Sequence, residues 1–352
     1  MDWLEGLDTD TLLEAIEQHL QNDFPALSVR QLFAQLLSGH LEFDFLQIGQ
    51  QLIHLLWQSA TAQFSLLGQL ILLAIVFAVL KQLESSFSHS NIQKVSGLVI
   101  QAIAVLLILQ SGRQVLACAQ QAVTGMTELM ELLLPLQLIL MAGLGNVKTA
   151  GLLQPSLLLI VQSAAFFCQH ILLPLIIMEL LLKLVNSFSD TYRLSSLAAF
   201  LRKVILTSIS FSTMLFLAVL SIQGISGQAL DRLSLRAVKY VTSAAVPVVG
   251  GMLSGLLDTL LSGGMMIRNA LGFIGLLVIL LLTVLPALKI LILYFLYSFA
   301  AALLQPLGDS RMISLLEQAA GSFMLAFAVV ALTGVLFFFM ILIVLVASGA
   351  TL

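Results

Sequence analysis

Charge is what this chain has least of: Asp, Glu, Lys and Arg make up 9% of its 352 residues, against about 25% in an ordinary soluble domain. So few charges cannot solvate a globular surface, and a soluble enzyme is excluded. Cysteine is scarcer still. Cys118 and Cys168 have no second Cys or His at ligand spacing, so neither a disulfide framework nor a metal site is expected. Also missing are a Ser/His/Asp arrangement, an HExxH motif, a phosphate-binding loop and paired carboxylates at catalytic spacing. No catalytic activity and no cofactor are expected. The histidines His19, His40, His54, His89 and His170 are scattered, and only His170 lies in a hydrophobic run. Without a sequence partner for a proton relay, His170 reads as a hydrogen-bonded residue at a helix end near Pro174.

Apolar residues fill the space that charge leaves, at 60% of the chain. Several runs of about 18 residues or more carry at most one charge, the pattern a hydrocarbon core about 30 Å thick demands. The fold class is therefore all-α, a polytopic membrane protein of about eight transmembrane helices, with the lipid bilayer as its first partner. The net charge of −3 is unevenly spread. Residues 1–63 hold nine acids and one base, net −8, whereas 64–352 hold nine acids and fourteen bases, net +5. The amino terminus is a separate acidic unit, and nothing in this balance calls for nucleic acid.

That unit opens on Met1, Asp2 and Trp3 and stays acidic, so no secretory signal is expected in it. Thr11 to Leu20 reads as a short helix with Thr11 and Glu14 in capping-box spacing. A second helix runs from Ser28, a good N-cap, to Gly39, with Leu32, Phe33, Leu36 and Leu37 as its stripe. A third, Phe43 to Trp57, leads towards the membrane. Three small amphipathic helices enclose little core, so the unit should pack on the membrane part or on a partner.

Residues 64–131 read as two spans, Phe64 to Leu80 and Val95 to Gln110, followed by an interfacial helix over 113–131 that keeps Glu128 and Glu131 at the surface. From there the chain repeats itself. Pro135 and Pro247 are 112 residues apart, as are Gly143 and Gly255, Gly151 and Gly263, and Pro174 and Pro286. Repeat 1 covers 132–223 and repeat 2 covers 244–352. Each holds a short Pro/Gly-interrupted segment (132–146; 246–264), a long apolar run (153–186; 269–305) and a final span (203–223; 322–347). A run of about 35 apolar residues makes over 50 Å of helix, too long for one crossing. Each run should therefore be two helices hinged at Pro174 or Pro286, where the amide donor is missing. If the short segments enter and return, the repeats are inverted, as in many transporters; if they cross fully, they are parallel.

Bases on alternate loops divide as Lys81, Lys94, Arg232, Arg236, Lys239, Arg268 and Arg311 against Arg113, Lys148, Arg193, Arg202 and Lys203. This split places the acidic amino terminus on the extracytoplasmic side.

Charges inside the spans are the more specific signal, since an ionised group at membrane depth costs several kcal/mol unless paired or hydrated. Glu179 and Lys183 stand at i, i+4 in the stabilising order, and Lys183 can alternatively snorkel to the headgroups. Lys289, three residues past Pro286, either reaches the interface or faces a polar cavity. The segment from Pro247 to Asn269 combines Gly250, Gly251, Gly263 and Gly264 with Asp258, Arg268 and Asn269. In lipid those polar groups would be expensive, so the segment is the candidate lining of a polar crevice or pore. Close helix packing is the plainer use of its glycines.

The stretch Ala245–Val246–Pro247–Val248–Val249–Gly250–Gly251–Met252–Leu253–Ser254, continuing through Asp258 to Ile267–Arg268–Asn269–Ala270–Leu271–Gly272, resembles the signature of the stage III sporulation protein AE family. Leu285–Pro286–Ala287–Leu288–Lys289 and the Pro306 to Asp309 loop resemble it too, as does the order of parts over nearly the whole chain. The chain departs from the family at its start, where many members carry a signal-like leader. The resemblance implies an integral subunit of the channel apparatus joining mother cell to forespore, in the mother-cell membrane facing the forespore. It implies as partners other membrane subunits and ring-forming subunits of the intermembrane space; assembly with further copies of the same chain is also open. Two other readings stand beside it: a stand-alone secondary transporter for a small solute or ion, and an anchor that only recruits partners.

Overall fold

The computed structural model describes residues 28–38, 90–144, 147–188, 194–226, 249–307 and 310–347, with scattered positions between 13 and 76. Among the described residues every element is helical. In chain order they are α1 (Val29–Ser38), α2 (Ser90–Gly143), α3 (Val147–Phe166), a π-helical segment (Phe167–Leu172), α4 (Leu173–Phe188), α5 (Ser195–Ser226), α6 (Val249–Leu304), a 3₁₀ turn (Gln305–Leu307) and α7 (Ser310–Ala347).

The helix α1 starts where its cap dictates. The Gln31 N–H donates to Ser28 Oγ at 3.3 Å and the Leu32 N–H to Ser28 O at 3.1 Å, which satisfies donors that a helix start leaves open. Arg30 pairs with Glu14 at 2.5 Å. On the other face Val29 is fully buried and α1 packs against α6, so part of the acidic unit sits on the membrane bundle. The remaining amino-terminal helices and the span expected at 64–80 lie mostly outside the described residues.

Five described helices are long and apolar enough to cross a membrane: Leu98–Gly143, Gln154–Phe188, Ser195–Phe216, Gly264–Leu304 and Arg311–Leu345. The eight-span reading divided runs that the structure keeps whole. Residues 90–143 form one helix, so the span at 95–110, the interfacial helix at 113–131 and most of the short segment at 132–146 are a single rod that passes through Pro135. Likewise 249–304 is one helix that continues through Pro286. A proline removes one amide donor, but packed neighbours in a bundle can compensate for the freed backbone groups. The group that Pro286 frees is the Leu282 carbonyl one turn earlier, and α2 packs beside the proline itself, with the Cys118 thiol donating to the Pro286 carbonyl at 3.8 Å.

Pro174 behaves differently. It follows a π-helical turn in which the Leu173 N–H reaches back to Cys168 O. The extra residue per turn widens the backbone just before the proline.

Leu98–Gly143 alone measures about 69 Å at 1.5 Å per residue, more than a hydrocarbon core. Such rods must tilt or project beyond the headgroups.

The core runs along the length of α2, α6 and α7. Antiparallel α2 and α6 are fixed in register by Gln137 on Arg268 O at 3.2 Å, Thr283 on Met126 Sδ at 3.1 Å and Ser111 with Tyr297 at 2.7 Å. Glycine sets the closeness of approach. A Cβ at Gly275 would lie 2.7 Å from Leu133 Cδ1, one at Gly272 would lie 2.5 Å from Leu345 Cδ1, and one at Gly334 of α7 would overlap Thr283 of α6. In lipid, helices associate through such close contacts because apolar burial alone gives no preference for protein over acyl chains.

Candidate functional site

Two buried polar clusters interrupt this apolar bundle. The first joins α4, α5 and α7. Glu179 is fully buried and forms an ion pair with Lys183, one turn further along α4. The Ser322 hydroxyl donates to Glu179 Oε2 at 2.5 Å and accepts from Lys183 Nζ at 3.4 Å. Arg202 of α5 reaches Glu179 Oε1 at 3.8 Å, and it fits because Gly321 presents no side chain: a Cβ there would lie 3.0 Å from Arg202 Nη1. One carboxylate thus faces two cations, and the cluster carries net positive charge. Removing one member of a buried charge pair costs about 3–5 kcal/mol, because the other is left uncompensated.

The second cluster lies where α2, α6 and α7 meet. Arg268 is fully buried, and its guanidinium donates to the Val344 carbonyl and, at 3.3 Å, to that of Leu345. Those carbonyls belong to the last turn of α7, where helix acceptors lack an amide partner and the helix dipole is negative. Gln137 of α2 closes the cluster by donating to Arg268 O at 3.2 Å. Gln137 Oε1, Arg268 Nε and Asn269 Oδ1 are buried without a protein hydrogen bond. Each such atom costs about 1–3 kcal/mol.

The sequence candidates therefore separate. Glu179 and Lys183 do meet, and they enlist Ser322 and Arg202, which sequence reasoning had not connected to them. Arg268 is not a loop base, as the orientation count took it, but a core residue; Arg113 also stands within a helix, on the exposed face of α2. Asn269 is half-buried beside Arg268 on α6, and Lys289 is half-buried on the same helix. Gly250, Gly251, Asp258 and Gly263 fall on the first turns of α6, but the Asp258 side chain lies outside the described residues, as does all of Pro247. His170 is exposed, and its ring stacks on Phe166 at 4.8 Å. A buried Tyr297–Ser111 hydrogen bond between α6 and α2 was also missed, since neither residue is unusual in its local sequence. Among the described residues no group of three His, Cys, Asp or Glu is placed to hold a metal.

Comparison with known proteins supplies what geometry cannot. The family model described as stage III sporulation protein AE matches residues 27–348. The chain belongs to the stage III sporulation protein AE family. A curated relative of that name from Bacillus subtilis (strain 168) is 30% identical over 317 residues, covering 90% of this chain and 79% of the relative. No solved structure matches. Family and helices together make this a multi-pass membrane protein of sporulation, in a family that is not known for enzymes. The matched region begins just ahead of α1 and takes in every one of α1 to α7.

Proposed function

We propose that this member of the stage III sporulation protein AE family is a channel or export-platform subunit of the apparatus joining mother cell and forespore. The observation that carries the reading is the placement of Glu179, Lys183 and Arg202 between three helices otherwise built for lipid. A structural anchor has no need of buried charge, and each ion costs several kcal/mol of desolvation. In a transport subunit the same charges hold a moving contact or interact with a polar path. The Arg268 cluster is the second such place, and the glycine-rich stretch from Pro247 to Asn269 would continue it into a crevice.

The internal repeat belongs to the same proposal. In the first half the proline-bearing rod of α3, the π-helical segment and α4 is followed by α5; in the second, α6 with Pro286 is followed by α7. In each pair the two helices lie close in sequence and pack together. This supports the duplication. Inversion, the extracytoplasmic amino terminus, the mother-cell membrane location and the partner subunits complete the picture.

The test is purification from sporulating cells. A platform subunit should bring other sporulation membrane proteins with it and show little solute flux alone in proteoliposomes. Flux from the isolated chain, without partners, would favour a stand-alone secondary transporter instead.

A further inference from the structure

All the charged residues of α4, α5 and α7 sit towards one end of the bundle, where α4 finishes and α5 and α7 begin. Lys183, Arg202, Lys203 and Arg311 stand there against Glu179 and Glu317, four bases to two acids, net +2. The residues that join these helices do not cancel the excess. Asp190 and Arg193, between α4 and α5, offset each other, and Asp309, ahead of α7, leaves net +1.

Two of these bases lie at membrane depth on the rim helix. The span Ser195–Phe216 has 22 residues, about 33 Å at 1.5 Å per residue, close to one hydrocarbon thickness. Arg202 and Lys203 therefore stand about 10 and 12 Å past its first residue. Lys203 is exposed and has no ion-pair or hydrogen-bond partner among the described residues. It heads a stripe at helical spacing, Lys203, Leu206, Ser210 and Met214, in which every side chain is exposed. Arg202 keeps 41% of its side chain exposed, and its contact with Glu179 is long, at 3.8 Å. Lys183 shares that carboxylate, and one negative charge cannot neutralise two cations.

A negative group that meets Arg202 and Lys203 must also suit the apolar surface beside them. A free inorganic anion would have to leave water to reach this depth, whereas a lipid phosphate is anchored there by its own acyl chains. A zwitterionic headgroup brings its own cation and leaves the excess charge unchanged. An acidic headgroup cancels it.

We infer that Arg202 and Lys203, with Lys183 behind them, bind the phosphate of an acidic phospholipid whose acyl chains lie along Leu206 and Met214 of α5. Basic pockets between spanning helices hold such headgroups. The lipid supplies the negative charge that the cluster is short of and ties α5 to the bundle. The site lies on the outer side of the charge cluster and needs only the membrane placement of α5, not the channel reading.

Lipid titration of the purified chain in mild detergent tests it. Phosphatidylglycerol, phosphatidylethanolamine with the same acyl chains, and inorganic phosphate are compared, with bound lipid counted by native mass spectrometry. Phosphatidylglycerol should bind at least about tenfold more tightly than phosphatidylethanolamine, and inorganic phosphate at equal concentration should not displace it. Each base near a headgroup is worth about fivefold, so Lys203→Gln should weaken phosphatidylglycerol binding about fivefold and Arg202→Gln together with it roughly 25-fold. Lys203→Arg, which keeps the charge, should bind within about twofold of the unsubstituted chain. Because Lys203 is exposed and unpaired, Lys203→Gln should unfold at the same temperature without lipid, so lost binding is not lost folding. Equal binding of the two lipids, or unchanged affinity for phosphatidylglycerol in Lys203→Gln and the double variant, would overturn the inference. Displacement by inorganic phosphate at equal concentration would make this a site for a free anion and overturn the lipid assignment. None of these results bears on the channel reading, which purification with membrane partners decides.

Discussion

The helices α5 and α7 each follow a proline-bearing helical stretch, yet they are used in opposite ways. Of the most apolar stretch of α7, 56% is buried inside the bundle, against 11% of that in α5. α7 touches α2, α3, α4, α5 and α6, whereas α5 packs chiefly on α4 and α7. If a duplication made the two, one copy became the core and the other stayed on the rim. The lesson is that similar sequence patterns specify a membrane helix but not its depth in the bundle. Burial is decided by small residues and polar partners at particular contacts, such as Gly334 at Thr283 and Ser322 at Glu179.

Five substitutions, the first with a compensating second change, sharpen or break this contrast. The largest effect is expected at the joint between core and rim. Glu179→Leu leaves Lys183 and Arg202 facing each other unpaired and should destabilise the protein by about 3–5 kcal/mol, read as lost resistance to thermal or detergent unfolding. Lys183→Leu in addition should restore part of the loss. Failure of Glu179→Leu to destabilise would mean the network is hydrated and loosely held.

Next is Gly334→Leu on α7, where the new side chain meets Thr283; overpacking of this kind costs about 1–3 kcal/mol. Ser210→Leu, at an exposed site on α5, should change thermal stability by less than about 0.5 kcal/mol. Equal sensitivity of the two helices would abolish the distinction between core and rim. Tyr297→Phe removes the hydrogen bond to Ser111 and should cost about 1 kcal/mol. Smallest of all is Gly143→Ala at the end of α2, where a Cβ meets no atom within 4 Å and little change in stability is expected.

Helix content and membrane class were legible because both follow from local properties: apolar run length, scarce charge and, at Ser28, the chemistry of a cap. The Glu179–Lys183 pair was legible for the same reason, since i, i+4 spacing is local. Helix boundaries were less so. Pro135 and Pro286 marked breaks on paper, yet neither ends its helix, because tolerance of a proline depends on how helices far away in sequence pack around it. Arg268 was singled out, but its destination on the last turn of α7 was not, as 76 residues separate it from Val344. Ser322 and Gly321 carry no sequence signal at all; their roles exist only once α7 lies against α4 and α5. The polar face of α2 was seen as a surface helix, and only its register with α6 places it level with an apolar span.

The claim that buried charge in this bundle serves transport rather than packing is tested most directly by spore formation in a Bacillus subtilis strain carrying this chain with Glu179→Gln in place of its own relative. The amide keeps the shape of Glu179 and its contact with Ser322 but removes the charge that Lys183 and Arg202 share. Spore yield per unit of protein in the membrane should fall at least about tenfold, beyond whatever abundance is lost because Lys183 and Arg202 are left uncompensated. Normal spore yield, or a yield that falls only in step with abundance, would contradict the claim.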